Sequence, residues 1–240
     1  MLSLGSPHSL SVVLPCLNEE RNIEGAVRDV EEAARGLFDD YEIIIVDDGS
    51  RDGTGAVASG LARADPRIRV FRHPRNLGYG AALRSGFAHC TKDLIFFTDA
   101  DRQFDPRELE LLVRPIDGCH IVAGFRLTRQ DHLQRRINSF LWTTVCRLVL
   151  GFRARDVNCA FKLFRRSALG ELGIRSDGAL INAELLALAK RKGLVIREIG
   201  VHHYPRRAGR PTGARPDVIF KALRDLVKLR FELMRGRHDD

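Results

Sequence analysis

The chain has 240 residues, 44 % of them apolar and 29 % charged, the composition of one globular domain long enough to bury a full core. Its 39 Lys and Arg against 31 Asp and Glu leave a net charge of +8. Such an excess is either a solubility device or the mark of an anionic partner: a nucleoside diphosphate, a lipid phosphate, an anionic membrane surface or nucleic acid. The five cysteines, Cys16, Cys90, Cys119, Cys146 and Cys159, are scattered without a C-x-x-C pair. They argue against a disulfide framework or a zinc site and for a reducing, cytoplasmic compartment. Met1 to Ser9 lacks the basic start and apolar core of a signal peptide. The longest apolar stretch, Phe140 to Phe152, is broken by Thr143, Thr144 and Arg147 and is too short and polar to span a bilayer.

Leu10 to Cys16 reads as the first strand. Ile23, Val27, Val30 and Ala34 then recur at helical spacing, with Gly36 expected at the helix end. Tyr41 to Val46 is a nearly continuous β-branched run, as a parallel strand covered on both faces requires. It stops at Asp47-Asp48-Gly49-Ser50, and a helix follows over about 55–64. Arg67 to Phe71 is a third strand, and Asn76-Leu77-Gly78-Tyr79-Gly80 opens a helix over 81–89. Asp93 to Thr98 is a fourth strand, Pro106 to Val113 a helix with Asp105 as N-cap, and His120 to Gly124 a fifth strand. Beyond it come an amphipathic helix over 134–150, a strand-like end to 156–165, a helix over 180–192, a strand over 194–203 and a mobile loop over 204–215. A closing helix over 216–235 has an apolar face (Ile219, Leu223, Leu226, Leu229, Leu233) and a basic one (Lys221, Arg224, Lys228, Arg235). That helix reads as a solvated lid or as an interfacial helix on anionic lipid. The helix over 140–150 reads as core before membrane contact. His202 and His203, adjacent on a strand, face opposite ways and make a poor metal pair. No repeat, low-complexity tract or linker divides the chain, so residues 1–240 are expected to form one domain. The expected fold class is α/β: an open, mostly parallel, Rossmann-like sheet with helices on both faces.

In such sheets ligands bind beyond the carboxyl ends of the strands. The polar clusters at 18–20, 47–54, 76–80 and 99–103 all fall at or just after strand ends and so converge on one rim. Asp99, Asp101 and Gln103 stand two positions apart at the tip of the fourth strand. In an extended chain they present oxygens to one side. Two carboxylates so close repel unless a cation lies between them, and oxygen ligands suit Mg²⁺ or Mn²⁺. The pattern reads as a metal and diphosphate clamp.

The stretches 12–20 (V-V-L-P-C-L-N-E-E), 43–54 (I-I-I-V-D-D-G-S-R-D-G-T), 76–86, 98–106 (T-D-A-D-R-Q-F-D-P), 122–126, 156–166 (D-V-N-C-A-F-K-L-F-R-R) and 203–209 carry a resemblance. The chain resembles the inverting, nucleotide-sugar-dependent glycosyltransferases of family 2, with the GT-A fold, and within them the polyprenol- or dolichol-phosphate mannosyl- and glucosyltransferase branch. The resemblance implies a nucleotide-sugar-binding half over about 10–125, an acceptor-binding half over about 126–215 and a basic amphipathic helix over 216–240. It implies that Pro15, Asn18 and Glu19 line the nucleotide, that Asp48 bonds the base, and that Arg84 lies near the diphosphate. Asp99, Asp101 and Gln103 would hold the metal. Arg126 with Arg136 or Arg135 would face the acceptor phosphate, and Arg206 would close over the donor phosphates. Leu17 stands where many relatives carry an aromatic residue that stacks on the base.

The implied donor is a GDP- or UDP-linked hexose. Breaking its C1–O bond puts charge on the departing phosphate, to be met by a cation on Asp99 and Asp101 and by Arg84 and Arg206. A phosphate acceptor is already ionised near neutral pH and needs arginines such as Arg126 rather than a base. A glycan or small-molecule hydroxyl needs a carboxylate base, for which Asp156 and then Glu184 are the candidates. The arginines after the acidic motif, and the lack of an obvious E-D-x base motif, favour the phosphate: a polyprenyl lipid reached at the cytosolic membrane face by peripheral contact. Few aromatic residues accompany the basic ones, which sets a nucleic-acid-binding module aside.

Overall fold

A computed structural model describes residues 8–129, 133–206 and 216–235. Seven strands form one sheet: β1 (Leu10–Cys16), β2 (Tyr41–Asp47), β3 (Ile68–Arg72), β4 (Leu94–Thr98), β5 (Ile121–Arg129), β6 (Phe161–Arg165) and β7 (Ile196–His203). The helices are α1 (Ile23–Leu37), α2 (Thr54–Ala64), α3 (Tyr79–Ala88), α4 (Leu109–Val113), α5 (Leu133–Leu150), α6 (Arg166–Gly170), α7 (Ile181–Arg191) and α8 (Pro216–Met234). The strand order is β3-β2-β1-β4-β6-β5-β7. The pairs β1·β2, β1·β4, β2·β3 and β5·β7 are parallel, whereas β6 is antiparallel to both β4 and β5.

The continuous apolar runs became the interior strands, as burial on both faces demands: β1, β2 and β4 are buried along their whole length. The insertion of β6 between β4 and β5 is the main departure from a simple succession of parallel strands. It has a functional consequence. Because β6 runs the other way, its start pairs with the end of β4, Phe161 against Thr98. The 156–160 segment is thereby delivered to the same rim as the carboxyl ends of β1, β2, β4, β5 and β7.

Smaller differences have local reasons. β5 runs on to Arg129 because β7 pairs with it past Gly124. Gly36 lies within the last turn of α1 rather than beyond it. The stretch 106–113 starts as a 3₁₀ turn at Pro106, capped by Asp105, whose side chain accepts from the Arg107 N–H. A second core behind β5 joins α5, α7 and α8 through Cys146, Leu150, Leu186, Leu226 and Leu229. On α8, Leu226 and Leu229 are buried as expected, but Leu223 is exposed and does not belong to the inner face. All five cysteines are buried free thiols. No helix among the described residues is long and apolar enough to cross a membrane.

Candidate active site

The rim is built by interlocking turns. After β1 the chain passes through Asn18 at φ 55°. Asn18 N–H donates to Ser50 Oγ (2.9 Å), and its Oδ1 accepts from Arg51 N–H (2.9 Å). Glu19 N–H donates to Thr54 Oγ1 at 2.8 Å, and Glu20 Oε2 accepts from Gly53 N–H at 3.0 Å. The Asn-Glu-Glu and Asp-Asp-Gly-Ser turns are thus one unit, with much of their polarity spent on each other's backbone.

Asp47 is fully buried; it accepts from Ser50 N–H (2.8 Å) and pairs with Arg72 (3.2 Å). Asp48 holds the glycine turn. Its Oδ1 faces His73 Nδ1 at 2.7 Å and accepts from Leu77 N–H at 2.8 Å, and its Oδ2 accepts from Gly78 N–H at 2.9 Å. His73 continues to Ser85 Oγ at 2.9 Å. Asp48 therefore has little acceptor capacity left for a base. Gly78 has φ 109°, and a Cβ there would lie 2.4 Å from Asp177 O; one on Gly80 would lie 2.4 Å from Ser176 O. These glycines serve the close approach of the 176–178 backbone.

Leu17, Asn18, Ser50, Arg72, His73 and Arg75 are among the residues around a cavity of about 740 Å³ beside these turns, large enough for a nucleoside. Leu17 lines it where a stacking aromatic was the alternative. Pro15 is buried within β1 opposite Val46 and is not part of this lining. Arg72, His73 and Arg75 escaped the sequence reading. Their signal was a basic cluster immediately before the Asn-Leu-Gly turn.

At the tip of β4 stand Asp99 and Asp101. Asp101 is buried, and the chain turns through Arg102 at φ 58°, with Arg102 anchored on Asp29 (2.7 Å). Asp99 Oδ1 accepts from the Tyr79 hydroxyl at 2.9 Å. Burial, and then the neighbouring Asp101, push the Asp99 carboxyl up to about 7. A carboxylate pair in that state is short of positive charge, and a hard divalent cation on its oxygens is the group that fits. Among the described residues no cluster of three or more His, Cys, Asp or Glu side chains forms a metal cage. Gln103 is buried beside it. Its N–H contacts Asp101 Oδ1 (3.2 Å) and its Nε2 donates to Tyr204 O (3.0 Å), while Tyr204 N–H donates to Gln103 O (2.8 Å). That reciprocal pair ties the acidic motif to the end of β7 and brings Arg206 inward. Arg206 Nη1 lies 3.4 Å from Asp101 Oδ2, and its Nη2 bonds Glu19 Oε1.

Behind the acidic pair runs a buried polar chain that sequence reasoning missed. Asn182 stands beside the Tyr79 hydroxyl, and its Oδ1 accepts from Lys162 Nζ at 2.9 Å. Lys162 is completely buried opposite Phe97, where it also donates to Val157 O (3.2 Å) and Cys159 O. Burial lowers its ammonium to about 8. On the acceptor side Arg126 grips Asp156 with both arms, Nε to Oδ2 at 2.6 Å and Nη2 to Oδ1 at 2.9 Å. Glu184 is buried and accepts from the N–H groups of Arg175 (2.9 Å) and Ser176 (2.8 Å).

Glu19, Asp101, Gln103 and Arg206 are therefore bonded to one another, with Asn18 and Asp99 next to them in the chain, and Arg126 pairs with Asp156. Arg84 does not touch the acidic pair: it bonds Asp177 and lines a groove of about 580 Å³ between α3 and α6. Arg135 and Arg136 fall in the first turn of α5, and their side chains lie outside the described residues, as does the 207–215 part of the loop expected to be mobile. His203 is buried against Phe104 (5.1 Å), while exposed His202 meets Glu108; the two point apart as strand alternation requires.

The sequence pattern of Glycosyl transferase family 2 matches residues 11–173. An undecaprenyl-phosphate 4-deoxy-4-formamido-L-arabinose transferase of Pseudomonas fluorescens (strain SBW25) is 31 % identical over 95 % of this chain and 64 % of its own length. The corresponding transferase of Enterobacter sp. (strain 638) is 32 % identical over 87 % of this chain and 64 % of its own length. The same transferase of Pseudomonas fluorescens (strain Pf0-1) is 34 % identical over 68 % of this chain and 48 % of its own length. The chain thus spans between about half and just under two thirds of these relatives. Glucosyl-3-phosphoglycerate synthase from Mycobacterium tuberculosis, with phosphoglyceric acid bound, superposes with a TM-score of 0.71 at 26 % identity, covering 92 % of this chain and 80 % of that one. A second crystal structure of that enzyme, with Mn²⁺, UDP and phosphoglyceric acid, also gives 0.71 at 26 %, over 93 % and 78 %. The mostly parallel seven-stranded sheet has the GT-A fold that those enzymes share. With an acidic pair at the tip of its fourth strand and the family pattern across its rim-forming segments, the chain belongs to Glycosyl transferase family 2.

Proposed function

We propose that this glycosyltransferase moves a hexose, with inversion, from a nucleoside-diphosphate sugar to the phosphate of a polyprenyl lipid. The observation that carries this reading is the state of the two carboxylates able to act as a base. Asp156 gives both oxygens to Arg126, and Glu184 gives both to backbone N–H groups. A hydroxyl acceptor would need one of them to take a proton. A phosphate monoester needs neither, because it is ionised already. The curated relatives act on undecaprenyl phosphate by name.

In this scheme the nucleoside occupies the cavity beside Leu17, Asn18 and Arg75, and its diphosphate reaches toward Asp99 and Asp101. A bound Mg²⁺ or Mn²⁺ on those two carboxylates, with Gln103 beside them, supplies electrostatic stabilisation of the departing diphosphate. Arg206 adds a second positive charge at the same place. Tyr79 holds Asp99 in orientation through its hydroxyl. Arg126, set by Asp156, presents its guanidinium to the acceptor phosphate. A phosphate oxygen of the acceptor attacks C1 of the sugar, the C1–O bond to the donor breaks, and its electron pair stays on the nucleoside diphosphate. Asp156 is a positioning residue for Arg126. The acceptor, as a lipid, would be met by peripheral contact at the cytosolic membrane face.

The test is a panel of UDP- and GDP-linked hexoses offered with undecaprenyl phosphate, phosphoglyceric acid or a glycan, read by product mass. Transfer to undecaprenyl phosphate is expected with Mn²⁺ and lost on adding EDTA. Transfer confined to the glycan, and abolished in Asp156→Asn with donor binding kept, would establish the hydroxyl route instead.

A further inference from the structure

The reversed strand β6 is entered through one tight turn at the rim. From Asp156 to Phe164 every residue except Asn158 is buried. The turn is pinned from behind. Lys162 Nζ donates to the carbonyls of Val157 (3.2 Å) and Cys159, on either side of Asn158, and to Asn182 Oδ1 (2.9 Å). Three acceptors around one nitrogen use all three donors of an ammonium. The turn also lies against β5, where a Cβ on Gly124 would be 3.2 Å from Cys159 Sγ. With its backbone held in this way, Asn158 has only its side-chain torsions left to adjust.

The fold makes no use of the Asn158 carboxamide oxygen. It is shut off from solvent and has no hydrogen-bond partner among the described residues. A buried acceptor in that state is destabilising until something supplies a donor. The place of the turn narrows what that is. It joins Asp156, which grips Arg126, to Phe161, which pairs with Thr98 directly before Asp99. In the proposed reaction the acceptor phosphate stands at Arg126 and the donor diphosphate at Asp99 and Asp101, and the sugar is the group between them. Ionised phosphate oxygens accept hydrogen bonds and have none to give a carboxamide oxygen. The hydroxyls of the sugar are the donors that the reaction brings to this interval.

We infer that Asn158 Oδ1 accepts a hydrogen bond from a hydroxyl of the transferred hexose and so helps to select the sugar. The inference rests on the transfer reading above and deepens it: Leu17, Asn18 and Arg75 are placed at the nucleoside, and Asp99, Asp101 and Arg206 at the diphosphate, which leaves the sugar itself unread. Lys162 is then a positioning residue, holding the turn that presents the carboxamide. A site that commits a buried polar atom to one hydroxyl rejects a sugar without it, because the atom is left unpaired again.

The experiment compares the full chain with Asn158→Leu, which keeps the volume and removes the polar atoms. Calorimetry with Mg²⁺ and no acceptor measures binding of UDP-glucose, GDP-mannose and analogues of each in which fluorine, which cannot donate, replaces one hydroxyl at a time. For the better-bound donor, one fluorinated analogue should bind wild type about tenfold more weakly than its parent. In Asn158→Leu the parent should fall by that same factor and the analogue should match it. Affinity for Mn²⁺ alone and for the bare nucleoside diphosphate should stay as in wild type. The thermal midpoint should hold or rise, since an unpaired acceptor is gone. A wild type indifferent to every fluorinated analogue, or a preference that survives the substitution, overturns the inference. So does a parallel loss of Mn²⁺ affinity, which would make Asn158 a metal ligand, or a lower midpoint with equal losses for all donors, which would make it a prop of the turn through a bound water. Discrimination that depends on Asn158, without transfer to undecaprenyl phosphate, keeps the inference and overturns the lipid-acceptor reading. Binding of neither nucleotide sugar overturns both.

Discussion

Asp99 sits between a hydroxyl that supports its charge and a carboxylate that opposes it. Burial and Asp101 hold its carboxyl at about 7, against an ordinary value of 3.8. A folded-state pKa above the unfolded one means that the folded protein binds the extra proton. The stability it contributes is complete below about pH 4 and is lost as pH rises through 7. On the proposed mechanism a divalent cation would end that loss, because it would bind the ionised pair. The gain in thermal midpoint on adding Mn²⁺ should accordingly be larger at about pH 8 than at about pH 5.5. Equal gains would place the cation on other groups. Tyr79 acts on the same oxygen from behind. Tyr79→Phe keeps the ring and removes the donor, so Asp99 loses its orientation and part of the support for its charge. Mn²⁺ affinity by calorimetry should fall about tenfold, as for other groups that orient a metal ligand without touching the metal.

At the level of elements, the α3 entry and β6 show how far local pattern reaches. Gly78 combines a left-handed backbone with a neighbour, Asp177 O, only 2.4 Å from where a Cβ would be. Gly78→Ala should cost about 2 kcal/mol or more, read as a lower urea midpoint at unchanged slope. The glycines of this turn were plain in the sequence, but their purpose was not, because the backbone they accommodate lies about a hundred residues further on. The buried strands were legible in Tyr41 to Val46 and Leu94 to Thr98, whose β-branched and aromatic runs fit only an interior position. So was the place of the acidic tip, because the apolar run of Leu94 to Thr98 stops directly before Asp99. The reversed position of β6 was not legible: pairing partners are set by the sheet, and F-K-L-F-R reads alike in either direction. Lys162 was missed for the same reason. A lysine in a strand ordinarily marks a solvated side, and here it is buried against Phe97, its charge met by carbonyls and Asn182. Asp48, read as a contact for the base, is largely spent on the Leu77 and Gly78 N–H groups, a use that only the folded turn reveals.

Across the whole molecule, Arg206 connects three parts of the rim that are far apart in sequence: Glu19 after β1, Asp101 after β4 and its own segment after β7. Two consequences of its charge have opposite signs. Beside Asp101 the guanidinium competes with a divalent cation for the same negative potential, so its presence weakens metal binding in the absence of nucleotide. On the proposed mechanism, once a diphosphate is bound the same guanidinium would add to the positive charge that receives the departing phosphate. Arg206→Ala should therefore bind Mn²⁺ alone several-fold more tightly, since Asp101 and Glu19 lose their shared counter-charge. Transfer should nonetheless fall by about two orders of magnitude, in line with the loss of one preorganised donor at a developing oxyanion. Titration of metal without nucleotide, set beside single-turnover rates with saturating donor, separates the two. If both quantities fell together, Arg206 would be holding the rim in shape, and Arg206→Lys, which keeps charge but not the forked reach to Glu19 and Asp101, would then fail to restore either.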